Sequence, residues 1–134
     1  MRRWISACVT FMIVLAGLTG AASSAQAATS AAKPFDITYG ATYARGTVTF
    51  SNRTATVKGV QRAVRADISG CRYVIMTAYP VGISQKTGLT CTGVDEYTKG
   101  LTVDVPGGPG YVEIRFYDVR QDSTKMVEMT TVFR

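Results

Sequence analysis

The chain has 134 residues and contains no histidine, one tryptophan and three cysteines. Without histidine it cannot form a Ser-His-Asp or Cys-His relay, and it lacks the most common protein ligand of zinc, copper and non-haem iron. The sequence also has no Gly-x-Ser-x-Gly elbow, no phosphate-binding glycine loop before a helix and no dinucleotide-binding fingerprint. It therefore predicts a protein that is not an enzyme and that binds no cofactor and no metal.

Long apolar runs are missing too, except near the N-terminus. There, two arginines precede an apolar stretch over residues 4–18, and Ala25-Gln26-Ala27 supplies the small residues of a signal-peptidase site. We expect residues 1–27 to be a cleavable signal peptide, residues 28–34 a short spacer and residues 35–134 a single domain. The domain is then secreted and extracellular, with no membrane contact after cleavage.

Cleavage of this leader would leave two cysteines, Cys71 and Cys91. A disulfide between them persists outside the cell and closes a loop of about 20 residues, which stabilises a fold by about 3 kcal/mol in the chain-entropy model. The spacing fits neither a redox Cys-x-x-Cys motif nor a zinc knuckle. The sequence predicts the disulfide, with two free buried thiols as the alternative.

The net charge is +6, and removal of the two leader arginines leaves +4. The remaining arginines are scattered along the chain, whereas a nucleic-acid binder shows a dense basic stripe with interleaved aromatic residues. We therefore expect solvated surface charge and no nucleic-acid partner. Weak attraction to anionic cell-wall polymers is compatible with this charge.

Apolar and polar residues alternate with the period of a β-strand through most of the predicted domain, as over 35–39, 47–50 and 54–58. Ser51-Asn52-Arg53 has the spacing of a hairpin turn, and Gly59 suggests a β-bulge in the second strand of that hairpin. Beyond that bulge, the pattern places four apolar residues on one face of a continuing strand: Val60, Val64, Ala66 and Ile68.

The segment from Cys71 to Tyr79 is apolar on both faces, which is typical of a central strand. Alternation over 101–105 predicts another strand, and Pro106-Gly107-Gly108-Pro109-Gly110 predicts a hairpin turn before the strand that contains Val112 and Phe116. The final run, 125–133, does not show which of its faces is buried. Turn signals between eight short strands predict an all-β, two-sheet sandwich, with a small β-barrel as the alternative.

The carboxylates show no clear catalytic or calcium-binding pattern. Asp104 and Glu113 flank the predicted turn, but both alternate with buried residues as ordinary outward-facing positions do, so they do not form a convincing glycosidase pair. Asp118 and Asp122 do not have the spacing of an EF-hand. We expect these last two to be solvated loop charges.

Tyrosine is abundant, with seven residues in the chain. Tyr111 and Tyr117 alternate with the apolar positions of their strand and point away from the core, with Arg115 between them. Such a face can present rigid aromatic rings and a cation to a ligand, or its tyrosines can simply stabilise an exposed sheet by cross-strand packing. Tyr111, Arg115 and Tyr117 are the candidate binding face.

Several strand and turn motifs together resemble a group of small secreted actinobacterial proteins of uncharacterised function. They are Thr42-Tyr43-Ala44-Arg45-Gly46-Thr47-Val48-Thr49-Phe50 with Asn52-Arg53, then Gly70-Cys71-Arg72, and Val103-Asp104-Val105-Pro106-Gly107-Gly108 before Tyr111-Val112. The resemblance covers most of the predicted domain. It implies a secreted β-rich protein and carries over no catalytic residue.

Two functional hypotheses follow from these observations. The first is a secreted, non-catalytic binding or surface-associated module whose tyrosine and arginine face engages a glycan, an anionic cell-wall polymer or another extracellular protein. The second is a secreted protease inhibitor that inserts the loop 81–88, which lies inside the disulfide ring, into a protease cleft.

Overall fold

A computed structural model describes residues 30–64 and 70–134 of the chain. The predicted leader lies outside the described residues, as do Ala66 and Ile68. The described part contains eight strands: β1 Lys33–Tyr39, β2 Thr42–Phe50, β3 Thr54–Ala63, β4 Cys71–Tyr79, β5 Ile83–Lys86, β6 Gly93–Thr102, β7 Tyr111–Arg120 and β8 Ser123–Phe133.

The strands form two antiparallel sheets of four. Sheet A has the order β1-β2-β3-β6, and sheet B has the order β5-β4-β7-β8. The chain passes from one sheet to the other after β3, after β5 and after β6. The predicted all-β, two-sheet sandwich is confirmed, and so is the disulfide between Cys71 and Cys91.

The core lies between the two sheets, and every strand except β5 contributes inward-facing side chains to it. The alternation seen in the sequence therefore becomes an inner and an outer face, and burial of the inner face is the main driving force for packing the sheets together. The largest buried apolar side chains come from both sheets: Ile37, Val48, Phe50, Val57 and Leu101 from sheet A, and Val74, Met76, Val112, Ile114 and Phe116 from sheet B.

The faces of β8, which the sequence left ambiguous, are determined by a bulge. The register of β8 against β7 shifts once, between Phe116 and Tyr117. Met126 is therefore paired with Tyr117 and Met129 with Arg115, although the two methionines are three positions apart. Both face outward, because the extra residue at the bulge reverses the alternation.

The expectation for β3 was wrong in two respects. Its pairing with β2 is regular through Gly59, so there is no bulge at this glycine. The buried residues of the second half of the strand are Gln61 and Ala63, whereas Val60 is only half-buried and Val64 is exposed. The strand keeps its alternation because a buried glutamine is tolerated where its amide group is fully hydrogen-bonded.

The connection between β6 and β7 also differs from the prediction. Residues 93–102 form the strand, which ends before Val103, and Pro106 to Gly110 carry the chain from sheet A to sheet B. This segment is a crossing between sheets and not a hairpin. The turn itself is confirmed, since Gly107 and Gly108 have φ angles of 86° and 70° that favour glycine.

Gln61 joins the two sheets at one end of the sandwich. Its amide nitrogen donates to the carbonyl oxygen of Gly88 at 2.8 Å and also to the Thr90 hydroxyl, and its amide oxygen accepts from the Thr87 hydroxyl at 2.7 Å. Thr87 in turn bonds the backbone of Val74 in β4. The polar network holds the segment that leads to Cys91 against sheet B.

Arg72 and Asp118 form a buried ion pair on the inner face of sheet B, beyond its apolar residues. The two side chains are 9% and 5% exposed, and Arg120 bonds the second carboxylate oxygen of Asp118 at 2.9 Å. Asp118 lies in β7 and is not a solvated loop charge, so that expectation was wrong. The inward position is tolerated because two arginines neutralise the carboxylate.

Replacement of Arg72 should lower the free energy of unfolding far more than replacement of Arg120. Arg72→Met leaves the Asp118 carboxylate buried without its inner partner, and the free energy of unfolding should fall by about 3–5 kcal/mol. Arg120 is 62% exposed, so Arg120→Met should cost less than about 1 kcal/mol. Urea denaturation of both variants measures the difference, and equal losses would contradict the assignment of Arg72 as the essential partner.

Gly46 and Gly59 are paired across β2 and β3 at a point where the two backbones approach closely. A Cβ atom on Gly46 would lie only 2.6 Å from the Cα of Gly59, and one on Gly59 would lie 3.0 Å from the hydroxyl of Tyr97. Neither position has room for a side chain. The pair is therefore required by the packing of the strands and not by a special backbone angle.

Gly46→Ala should lower the free energy of unfolding by about 1–3 kcal/mol, because the added methyl group forces the backbones apart. Gly100→Ala is a matched control in β6, since its Cβ would meet only a methyl group of Thr54, at 3.9 Å. The control should be neutral or more stable by about 0.5 kcal/mol. Thermal denaturation of the two variants that shows equal stability would contradict the close approach.

Candidate binding face

The three residues of the candidate face all lie on β7 and point to the outer side of sheet B. Tyr111 is paired with Tyr79, and Tyr117 is paired with Tyr73, both from β4. Each pair is stacked, with ring centroids 4.8 Å apart in the first and 4.9 Å apart in the second. The two stacks are six residues apart along the strand, which is about 20 Å.

Phe133 extends the first stack onto β8. Its ring centroid is 5.7 Å from that of Tyr111, and the two rings are tilted by 41°. We call the outer surface formed by these rings the aromatic face, which consists of Tyr73, Tyr79, Tyr111, Tyr117 and Phe133. It spans three neighbouring strands, and Phe133 is 64% exposed.

Arg115 lies between the two stacks and is ion-paired with Glu113 on the same strand. The hydroxyl of Tyr79 is 3.5 Å from both charged groups. The hydrogen bond that Arg115 donates to Glu113 raises the pKa of Arg115 further above its already high value. The centre of the face is therefore a neutralised, oriented ion pair and not a free cation.

Two methionines flank the aromatic face on β8. Met126 is 45% exposed and Met129 is 44% exposed, and they lie in register with Tyr117 and Arg115. The sequence analysis missed both, because their three-residue spacing suggests opposite faces. The only signal in the sequence was the conflict between the two apolar patterns of the segment 125–133.

The tyrosine rings stack on one another, so few of their ring faces are open to solvent. Tyr73 has Tyr117 on one side, and the Nζ atom of Lys86 lies 3.9 Å from the centroid of its ring. Burial, and secondly Tyr117, raises the pKa of Tyr73. Tyr111 is covered in the same way by Tyr79 and Phe133. In Tyr73 and Tyr111, the stacking thus occupies the ring faces on which a sugar would stack.

The other residues that the sequence singled out do not form a second site. Asp104 is exposed and paired with Arg53 at 3.2 Å, while Glu113 belongs to the outer face of sheet B. The two carboxylates therefore have separate arginine partners. Among residues 30–64 and 70–134, no group of three or more histidine, cysteine, aspartate or glutamate side chains is placed to hold a metal ion.

The segment 81–88, expected to be an inhibitory loop, is mostly paired. Residues 83–86 form β5 against β4, and Thr87 is buried with its hydroxyl in the Gln61 network. Only the residues at the two ends of β5 are free of this pairing, notably Val81, Gly82 and Gly88. The segment is therefore held along the edge of sheet B and does not project from it.

No protein-family model, curated protein or solved structure matches the chain. In the described ranges there is no helix of the length and apolarity needed to cross a membrane.

Tyr97 of sheet A is a further residue that the sequence analysis did not single out. It is 8% exposed, and its hydroxyl is the one buried side-chain polar atom in the described residues without a hydrogen-bond partner. Burial raises the pKa of Tyr97 well above its usual value. A hydroxyl kept in this environment costs stability, which invites a functional explanation.

Tyr97→Phe should raise the free energy of unfolding at neutral pH by about 1 kcal/mol, because it removes a buried hydroxyl without a partner. In the parent protein, the unfolded chain ionises above its usual pKa of about 10 while the folded state keeps the proton, so stability falls as the pH rises beyond that value. The variant should lose less stability there. Urea denaturation at neutral and alkaline pH measures both effects.

Tyr39→Phe is the control, since Tyr39 is an exposed tyrosine of the same sheet. It should leave both the stability at neutral pH and the alkaline loss nearly unchanged. If Tyr97→Phe were clearly less stable than the parent at neutral pH, the hydroxyl would have a partner and the interpretation would be wrong.

Proposed function

We propose that the protein is a secreted, non-catalytic binding module that engages another extracellular protein through the aromatic face and its flanking methionines. The observation that carries the proposal is the row of exposed apolar side chains on β8 beside the stacked tyrosines, namely Met126, Met129 and Phe133. Tyrosine, phenylalanine, methionine and arginine are the residues enriched at the centres of protein interfaces.

The chemistry of the face favours a protein over a sugar. A sugar ring packs its C–H face on an open aromatic ring, but Tyr73 and Tyr111 are covered on both sides. The exposed surface consists of ring edges, hydroxyls and flexible thioethers, which adapt well to an irregular protein surface. A glycan and an anionic cell-wall polymer are the other ligands that the experiment below distinguishes.

Secretion is part of the proposal and has two supports. The predicted leader has the pattern of a signal peptide. The disulfide between Cys71 and Cys91 is of the kind that persists in an oxidising compartment.

The inhibitor hypothesis has less support. An inhibitory loop projects from its scaffold, whereas β5 lies along β4 as an edge strand and leaves only the backbone groups of its outer edge unpaired. Incubation of the exported protein with a panel of serine proteases tests it directly, and inhibition at a molar excess of protein would favour it over the binding module.

The binding proposal is tested by immobilising the exported protein and exposing it to culture supernatant and cell-wall extract. We expect a defined protein to be retained at high salt, because apolar burial is not screened by ions. Met129→Lys places a charge in the face and should weaken retention at least about tenfold. The matched control, Thr56→Lys, places the same charge on the outer face of sheet A and should have no effect.

The outcomes separate the candidate ligands. Retention of polysaccharide or wall particles alone, lost as salt is raised, would indicate charge-driven adhesion and would contradict the protein partner. Equal retention by the parent protein and Met129→Lys would show that the aromatic face is not the binding surface.

A further inference from the structure

A cleft of about 470 Å³ opens on sheet A, away from the aromatic face. Its walls are side chains from β2, β3 and β6 that occupy outward positions: Arg45, Thr47, Lys58, Val60, Glu96 and Thr98. The volume lies within the range of about 300–1,000 Å³ that small-molecule sites occupy. The cleft is therefore large enough for a ligand of its own.

The strand register arranges these walls in two rows. Lys58 is paired with Thr47 on one side and Thr98 on the other, so that a cation lies between two hydroxyl groups. The second row contains Val60 between Arg45 and Glu96. Rows two residues apart on the same face of a strand are separated by about 7 Å.

In the part of the chain that the structure describes, each row contains one charged side chain without an ion-pair partner, a lysine in the first row and a glutamate in the second. In the described residues, Lys58 and Glu96 form no ion pair, either with each other or with a third residue. Arg45 differs, because Asp36 neutralises it at 2.8 Å and its guanidinium carbon lies 4.5 Å from the ring centroid of Tyr43. The cleft thus offers one cation and one anion to a ligand.

The floor of the cleft is formed by Gly46, Gly59 and Tyr97, which lie in register between the two rows. The two glycines carry no side chain, and Tyr97 directs its ring into the core. The floor between the two rows is therefore backbone.

We infer that this cleft binds a small zwitterion of dipeptide size, with its carboxylate at Lys58 and the two threonine hydroxyls and its ammonium at Glu96. An extended dipeptide spans about 7 Å, which matches the separation of the rows. A neutral sugar would bury both charges without neutralising either, which is unfavourable. The inference is independent of the proposed function, since it concerns the opposite sheet.

Dialanine is the probe, and binding to the full exported protein is followed by amide chemical shifts in heteronuclear NMR spectra. We expect saturable shifts at millimolar concentration that map to β2, β3 and β6. N-acetyl-dialanine and dialanine amide, which each lack one charge, should bind about two- to fivefold more weakly, because each loses one exposed ion pair.

Two substitutions and two matched controls locate the site. Lys58→Met and Glu96→Gln should each weaken dialanine binding about two- to fivefold, because each removes one exposed ion pair with the ligand. Lys125→Met and Glu128→Gln make the same chemical changes at exposed positions on β8 of sheet B and should leave binding unchanged.

Any of three outcomes would overturn the inference. They are the lack of saturable shifts with dialanine, equal binding of the blocked peptides, and equal weakening by the control substitutions. Met129→Lys separates this test from that of the aromatic face, because it should abolish retention of the extracellular partner and leave dialanine binding intact.

Discussion

The hydrogen-bonded side chain of Gln61 is the interaction on which one end of the sandwich depends. The side chain extends from β3 in sheet A and is hydrogen-bonded to the segment 87–90, which continues along the edge of β4 in sheet B. A buried amide is stable there because all three of its hydrogen bonds are made. The same segment brings Cys91 beside Cys71, so the position of the disulfide follows from this polar network.

The outer faces of the two sheets differ because the sandwich buries only the inner ones. Sheet A presents threonines and charged residues in two rows that line a cleft. Sheet B presents stacked tyrosines, an internally neutralised Arg115 and exposed thioethers. One sheet is thus suited to a small charged ligand and the other to a broad apolar surface, on opposite sides of a single core.

Local patterns in the sequence were sufficient for the fold class, the disulfide and the outward direction of Tyr111, Arg115 and Tyr117. Each of these depends on alternation along one strand or on the number of cysteines. Longer-range features were missed. Asp118 looked like a loop charge because nothing nearby in the sequence indicates that Arg72, from another strand, lies beside it.

The sequence alone determined that the chain forms β-strands with one apolar face, since alternation reflects the pleat of a strand, and it excluded chemistry that requires histidine. Tertiary structure alone decided which residues from different strands share a surface. The bulge in β8 brought Met126 onto the face that Met129 and Phe133 share, and the pairing of β3 with β2 and β6 assembled the cleft. These results depend on register between distant strands, and register is set by the packing of the whole sandwich.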